Sequence, residues 1–139
     1  MSEETQPFEL HPRLAQDSIH ITDWPLSQVR VMNDRQFPWF LLIPRVPNVT
    51  EIIDLNDADQ QQLWRESAFL SHWLKAEYRP EKLNIAAIGN KVPQLHLHHI
   101  GRFSDDPVWP DPVWGRLPPE PLAEETVTRL QEIFKALSL

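Results

Sequence analysis

The strongest constraint on the fold lies between Gln94 and Ile100, where the sequence Gln-Leu-His-Leu-His-His-Ile alternates between two kinds of side chain. Side chains of a β-strand point alternately to its two faces, so this pattern predicts a strand. His96 and His98 then lie side by side on one face, and His99 points to the other. Imidazole is the side chain best suited near neutral pH to act as a nucleophile, a proton donor or a metal ligand. The aligned pair therefore indicates a chemical site.

The segment resembles the signature of the histidine triad family, in which three histidines alternate with apolar residues on one strand of a nucleotide-binding sheet. In that family the middle histidine attacks the α-phosphorus of a nucleotide. Aligned on this pattern, His96 takes the nucleophile position and His98 the third position, while Gln94 stands where the first histidine is expected. The resemblance implies a covalent nucleotidyl-histidine that is hydrolysed or passed to an acceptor, with no cofactor.

The resemblance spans roughly residues 26–103. Residues 89–93 resemble the phosphate-binding turn of the family, and residues 33–34 with 39–45 resemble its earlier pair of strands. Residues 104–119 resemble a C-terminal element of a bacterial branch similar to dinucleoside polyphosphate hydrolases. These matches imply a homodimeric nucleotide hydrolase or nucleotidyl transferase whose substrate is a nucleotide or a dinucleoside polyphosphate.

Further site residues follow from the same alignment. Asp34 matches the acidic residue that accepts hydrogen bonds from both ribose hydroxyls, and Asn90 lies where the family carries an amide near the scissile phosphate. Asn84 matches a second polar contact, and Gln94 is expected to contact the substrate as well. The family also implies that a backbone carbonyl fixes the tautomer of His96.

Two positions depart from the family pattern, namely Gln94 and Trp39, because many members carry histidine at both. The lost groups support the reacting residues rather than break bonds, so a catalytically impaired nucleotide-binding module is the alternative function. A metal site built from His96, His98 and His99 is a third hypothesis, disfavoured because strand neighbours on opposite faces cannot readily share one ion.

Composition limits the remaining function classes. The chain has 139 residues, a net charge of −7 and no cysteine, which fits one domain in a reducing compartment. The acidic balance argues against a nucleic-acid surface. The first residues lack an apolar signal region, and no run is long enough to span a membrane, so we expect a cytoplasmic protein. The cations considered for an anionic ligand are Arg45, Lys91 and Arg102.

Hydrophobic periodicity predicts an α+β fold with a mainly antiparallel sheet of about five strands. The predicted strands are 18–22, 26–32, 39–43, 82–88 and 94–103. After a polar tail at residues 1–7, the predicted helices are a short turn at 12–15, a helix capped by Asn56 that runs to about Tyr78, and a closing helix from Leu122. Residues 104–121 hold six of the 14 prolines and predict an ordered segment without regular structure. Its Trp109 and Trp114 are expected to anchor the core or a dimer interface, or to wall a base pocket.

Overall fold

A five-stranded antiparallel sheet with the strand order β1-β2-β3-β5-β4 organises the computed structural model, which describes residues 7–139. The strands are β1 (Ser18–Asp23), β2 (Ser27–Met32), β3 (Trp39–Pro44), β4 (Lys82–Ala86) and β5 (Leu97–Arg102). The predicted α+β class and strand number are confirmed. The polar tail predicted at residues 1–7 lies, apart from Pro7, outside the described residues.

Within residues 7–139, three α-helices accompany the sheet, and their bounds are α1 (Pro12–Asp17), α2 (Asp57–Tyr78) and α3 (Glu124–Ala136). A short 3-10 helix at Ile52–Asp54 precedes α2. The side chain of Asn56 accepts a hydrogen bond from the Asp59 backbone N–H at 2.8 Å, so the predicted cap of α2 is confirmed. Among the helices of residues 7–139, we find none with the length and apolar character needed to cross a membrane.

The two faces of the sheet carry different layers. Helices α2 and α3 cover one face, where Leu70 and Phe134 pack against Phe40 and Leu97. Helix α1 and the proline-rich segment cover the other face, which bears Trp39, Leu41 and Ile100 from the sheet and Leu14, Val108 and Val113 from the covering layer. All six residues of β3 are buried, so this central strand is covered on both faces.

The connection between β4 and β5 is longer than predicted, because β4 ends at Ala86 and β5 begins at Leu97. The chain leaves the sheet in a tight turn at Gly89, where a Cβ atom would lie 2.7 Å from the Val92 carbonyl oxygen. Pro93 has no N–H with which to extend the ladder. Residues 87–96 thus form a loop where strand was predicted for part of them, and this loop contains His96 and borders His98.

Candidate active site

The His96 ring lies on the face of the sheet opposite α2 and α3, next to the ring of His98. The two ring centroids are 4.8 Å apart. His96 Nδ1 lies 2.7 Å from the backbone oxygen of Gln94. A carbonyl oxygen can only accept, so Nδ1 carries the proton and Nε2 keeps its lone pair. The expected carbonyl contact of His96 is therefore confirmed.

His98 is held from both sides of its ring. Its Nδ1 lies 3.0 Å from the indole Nε1 of Trp39 on the neighbouring strand, and its Nε2 lies 3.3 Å from the backbone oxygen of Ile88. The Trp114 ring meets the His98 ring edge to face, with centroids 5.2 Å apart. The imidazole therefore has a defined orientation within the site.

Burial keeps both imidazoles uncharged. Burial, together with the nearby His96 ring, lowers the pKa of His98 to about 3, although the contact with the Ile88 carbonyl oxygen opposes the shift. Burial also lowers the pKa of His96 below its ordinary value, although the hydrogen bond to Gln94 opposes the shift. Both rings are neutral at pH 7, which is the state that a nitrogen nucleophile requires.

A cavity of about 370 Å³, here called the histidine cavity, opens beside the two imidazoles. Its wall includes the turn from Ile88 to Val92. A second cavity of about 440 Å³, here called the Asp34 cavity, adjoins it. The two cavities share the lining residues Arg13, Asp17, Met32, Trp39, Trp114 and Gly115. Their sizes are typical of small-molecule sites.

Asp34 lies just after β2, in the wall of the Asp34 cavity. Its Oδ1 atom accepts hydrogen bonds from the backbone and side chain of Gln36, both at 3.0 Å, and from the Glu120 backbone N–H at 3.4 Å. Within the part of the chain that the structure describes, its Oδ2 atom makes no hydrogen bond. One carboxylate oxygen is thus fixed by the protein while the other remains able to accept from a ligand.

Of the three other residues predicted to contact the substrate, only Asn90 lines the histidine cavity. Asn84 lies outside both cavities and accepts a hydrogen bond of 2.9 Å from Arg102. The side-chain amide of Gln94 bonds the backbone of Glu9 and His11 in the N-terminal segment. The structure therefore brings Asn90 to the imidazoles, but engages Asn84 and Gln94 in contacts within the protein.

Sequence reasoning missed that α1 borders this site. Arg13 in α1 lines both cavities, and its Nε atom bonds Asp17 at 3.2 Å. Of the cations considered from sequence, Lys91 lines the histidine cavity. Arg45 instead bonds backbone oxygens near Trp24, and Arg102 is buried against Asp106. The sequence predicted a short turn at residues 12–15, and nothing in that pattern indicated that the turn borders a site.

The two tryptophans of the proline-rich segment have different surroundings. Trp114 lines both cavities. The ring of Trp109 instead packs against the guanidinium of Arg102, with the Cζ atom 5.7 Å from the ring centroid. The segment at residues 104–121 contains no helix or strand, as predicted, and its Val113 is buried. The interpretation of a tryptophan as a cavity wall thus applies to Trp114.

His99 belongs to the opposite face and to a different environment. It is fully buried, with Nδ1 3.1 Å from the Leu97 carbonyl oxygen and Nε2 2.7 Å from the Ser67 hydroxyl. Because His99 and the pair formed by His96 and His98 face away from each other, they cannot share one ion. Residues 7–139 contain no group of three histidine or carboxylate side chains arranged to hold a metal.

The sequence and its fold were compared with known proteins. The family model described as HIT domain matches residues 13–105, which is more than half of the chain. The chain belongs to the histidine triad family. Histidine triad proteins bind nucleotides and are generally nucleotide hydrolases or transferases, as the resemblance implied.

Three solved structures illustrate this relationship. A histidine triad protein from Bradyrhizobium japonicum is 45% identical, with a TM-score of 0.89, over 94% of this chain and 97% of the other. One from Marinobacter aquaeolei is 44% identical, with a TM-score of 0.90, over 96% and 100%. One from Sinorhizobium meliloti is 42% identical, with a TM-score of 0.88, over 94% and 97%. The comparison with curated proteins gave no match.

Proposed function

We propose that this histidine triad protein is a nucleotide hydrolase or nucleotidyl transferase that acts at the α-phosphate through a covalent intermediate on His96. The observation that carries the proposal is the hydrogen bond from His96 Nδ1 to the Gln94 carbonyl oxygen. It leaves the Nε2 lone pair free on a ring that borders a cavity of about 370 Å³. A nucleophile oriented by a third group is the usual arrangement in covalent catalysis.

The reaction would proceed in two displacements. His96 Nε2 forms a bond to the α-phosphorus, and the bond from phosphorus to the leaving group breaks, so that the leaving group departs with the electron pair. Water or another acceptor then attacks the phosphorus, and the N–P electron pair returns to Nε2. With water as acceptor, the products are a nucleoside monophosphate and a proton released to solvent. His98 would hydrogen-bond the phosphate oxygens in both steps.

The substrate would lie along both cavities. The phosphate occupies the histidine cavity near Asn90 and Lys91, and Arg13 supplies a second cation from α1. The ribose hydroxyls reach the free Oδ2 atom of Asp34, and the base extends along Trp114. Contact of Asn84 or Gln94 with the substrate stays a prediction, because both side chains bond protein groups.

We also propose that the protein is a homodimer. Strand β4 is at the edge of the sheet, and Ile85 and Ile88 beside that edge are 42% and 38% exposed. An unpaired edge strand with exposed apolar residues favours pairing with a second copy. Sedimentation analysis of the wild type and of Ile85→Lys tests the homodimer, since the introduced charge is expected to yield monomers.

A cytoplasmic location and a dinucleoside polyphosphate substrate stay predictions.

The activity test compares the wild type with His96→Ala on a nucleoside phosphoramidate and on a dinucleoside polyphosphate. The matched control is His20→Ala, because His20 is a half-exposed histidine of β1 that bonds Asp23. We expect turnover by the wild type and by the control, and a loss of at least about 1,000-fold in His96→Ala. Equal turnover by all three would contradict the proposal. Tight nucleotide binding without product would instead identify the alternative, an impaired nucleotide-binding module.

A further inference from the structure

We propose that Trp39 is a positioning residue that holds His98 in the neutral tautomer with its proton on Nε2. In this tautomer His98 presents a hydrogen-bond donor to the substrate, a role that rests on the proposed function. Trp39, noted in the sequence as a departure from the family pattern, supplies a specific contact to His98 in this chain.

The tautomer follows from the chemistry of the two contacts. An indole N–H can only donate, so the hydrogen bond of 3.0 Å from Trp39 Nε1 requires a lone pair on His98 Nδ1. The remaining proton is then on Nε2, which faces the carbonyl oxygen of Ile88 at 3.3 Å. The opposite tautomer would place two N–H groups against each other and two lone pairs against each other. Both partners therefore favour the same state.

The packing around Trp39 keeps its indole in position. In the ladder between β3 and β5, Trp39 lies opposite Ile100, and Leu41, two residues further along β3, lies opposite His98. The indole of Trp39 is therefore diagonally across from the His98 imidazole on the same face of the sheet. Trp39 is 7% exposed, and its ring meets the rings of Phe37 and Trp114 edge to face, both with centroids 6.2 Å apart. The donor nitrogen is thus fixed before any ligand arrives.

The two histidines of the site consequently carry opposite tautomers. His96 has its proton on Nδ1 and a lone pair on Nε2, whereas His98 has a lone pair on Nδ1 and its proton on Nε2. The His96 ring offers a lone pair to the phosphorus, and the His98 ring donates a hydrogen bond to the ionised phosphate oxygens, which can only accept. The hydrogen bond from His98 Nε2 to the Ile88 carbonyl oxygen is long. The Nε2–H group can therefore exchange this acceptor for a phosphate oxygen at little cost in free energy.

The experiment compares Trp39→Phe with Trp114→Phe in protein carrying ¹⁵N-labelled histidine. Both indoles contact His98, but Trp114 Nε1 is buried without a hydrogen-bond partner in the described residues 7–139, which makes it the matched control. Imidazole ¹⁵N shifts report the tautomer directly. We expect His98 to stay in the Nε2–H state in the wild type and in Trp114→Phe, and to become a mixture in Trp39→Phe. We also expect kcat for Trp39→Phe to fall about five- to tenfold.

A measurement on the unaltered protein covers the case in which Trp39→Phe does not fold. A scalar coupling between Trp39 Nε1 and His98 Nδ1 is expected across the hydrogen bond, and its absence would overturn the proposal. An unchanged His98 tautomer in folded Trp39→Phe, or an equal change in Trp114→Phe, would overturn it as well. These readouts need no turnover, so a wild type that turns over no nucleotide would contradict the proposed function and not the tautomer assignment.

Discussion

The side-chain oxygen of Gln94 accepts a hydrogen bond of 2.8 Å from the backbone N–H of His11. The amide nitrogen of the same side chain donates to the Glu9 carbonyl oxygen, also at 2.8 Å. The backbone oxygen of Gln94 meanwhile holds His96. Gln94 thus joins the N-terminal segment to the nucleophile, and its amide stabilises the wall of the site that carries Arg13.

Substitution of Gln94 is expected to loosen the N-terminal segment. Gln94→Ala removes both hydrogen bonds to the segment, so the free energy of unfolding should fall by about 1–2 kcal/mol. Hydrogen exchange at the His11 amide should accelerate. The control is Gln131→Ala, which removes an exposed bond to the His20 carbonyl at the opposite layer. Unchanged protection of the His11 amide from hydrogen exchange in Gln94→Ala would show that Gln94 does not hold the N-terminal segment.

Arg13 is expected to act in substrate binding. Arg13 lines both cavities and carries a positive charge, so Arg13→Gln should raise KM about tenfold, equivalent to about 1.4 kcal/mol, with kcat changed less than about twofold. Arg65→Gln on the exposed side of α2 is the control and should leave KM unchanged. Steady-state kinetics on one nucleotide substrate measure both constants. A fall confined to kcat would argue against a binding role.

The pH dependence of kcat/KM follows from the charge of His96. Protonation removes the Nε2 lone pair, so the rate should fall as pH decreases through the pKa of this residue. Burial places that pKa below 6.5, and the pKa of His98 is about 3. We therefore expect kcat/KM to be constant from about pH 8 down to about pH 6.5 and to decline only at more acidic pH. An acid limb that begins above pH 7 would contradict this assignment.

The side chain of Glu66 in α2 forms hydrogen bonds to the backbone at the turn between β1 and β2. It is fully buried, and its oxygens accept from the backbone N–H groups of Leu26 and Ser27 at 2.7 and 3.1 Å. Glu66→Gln turns one acceptor into a donor that faces an N–H, so thermal or urea unfolding should show a loss of about 2–4 kcal/mol. The exposed Glu77→Gln serves as the control. A loss below about 0.5 kcal/mol in Glu66→Gln would argue against this support.

Local patterns in the sequence predicted much of the architecture. The alternation around His96 and His98 placed both rings on one face, and Asn56 predicted the start of α2, because strand and cap preferences depend on nearby residues. The strand limits at Ile88 and Gln94 were wrong, since Gly89 and Pro93 turn the chain out of the sheet.

Contacts between distant segments could not be predicted in this way. Gln94 and His11 are separated by 83 positions, and Trp39 and His98 by 59. Each contact depends on how the covering layer and the neighbouring strand pack on the sheet, and a single sequence carries no periodicity for that. The side-chain contacts of both residues that depart from the family pattern therefore became visible only in three dimensions.

The most direct test of covalent catalysis is rapid chemical quench of the wild-type protein mixed with substrate, followed by mass spectrometry of the peptide that contains His96. We predict a nucleoside monophosphate adduct on His96 that forms and decays at rates compatible with turnover, and its absence in His96→Ala. Turnover by the wild type with no adduct at any quench time, or an adduct on another residue, would contradict the assignment of His96 as the nucleophile.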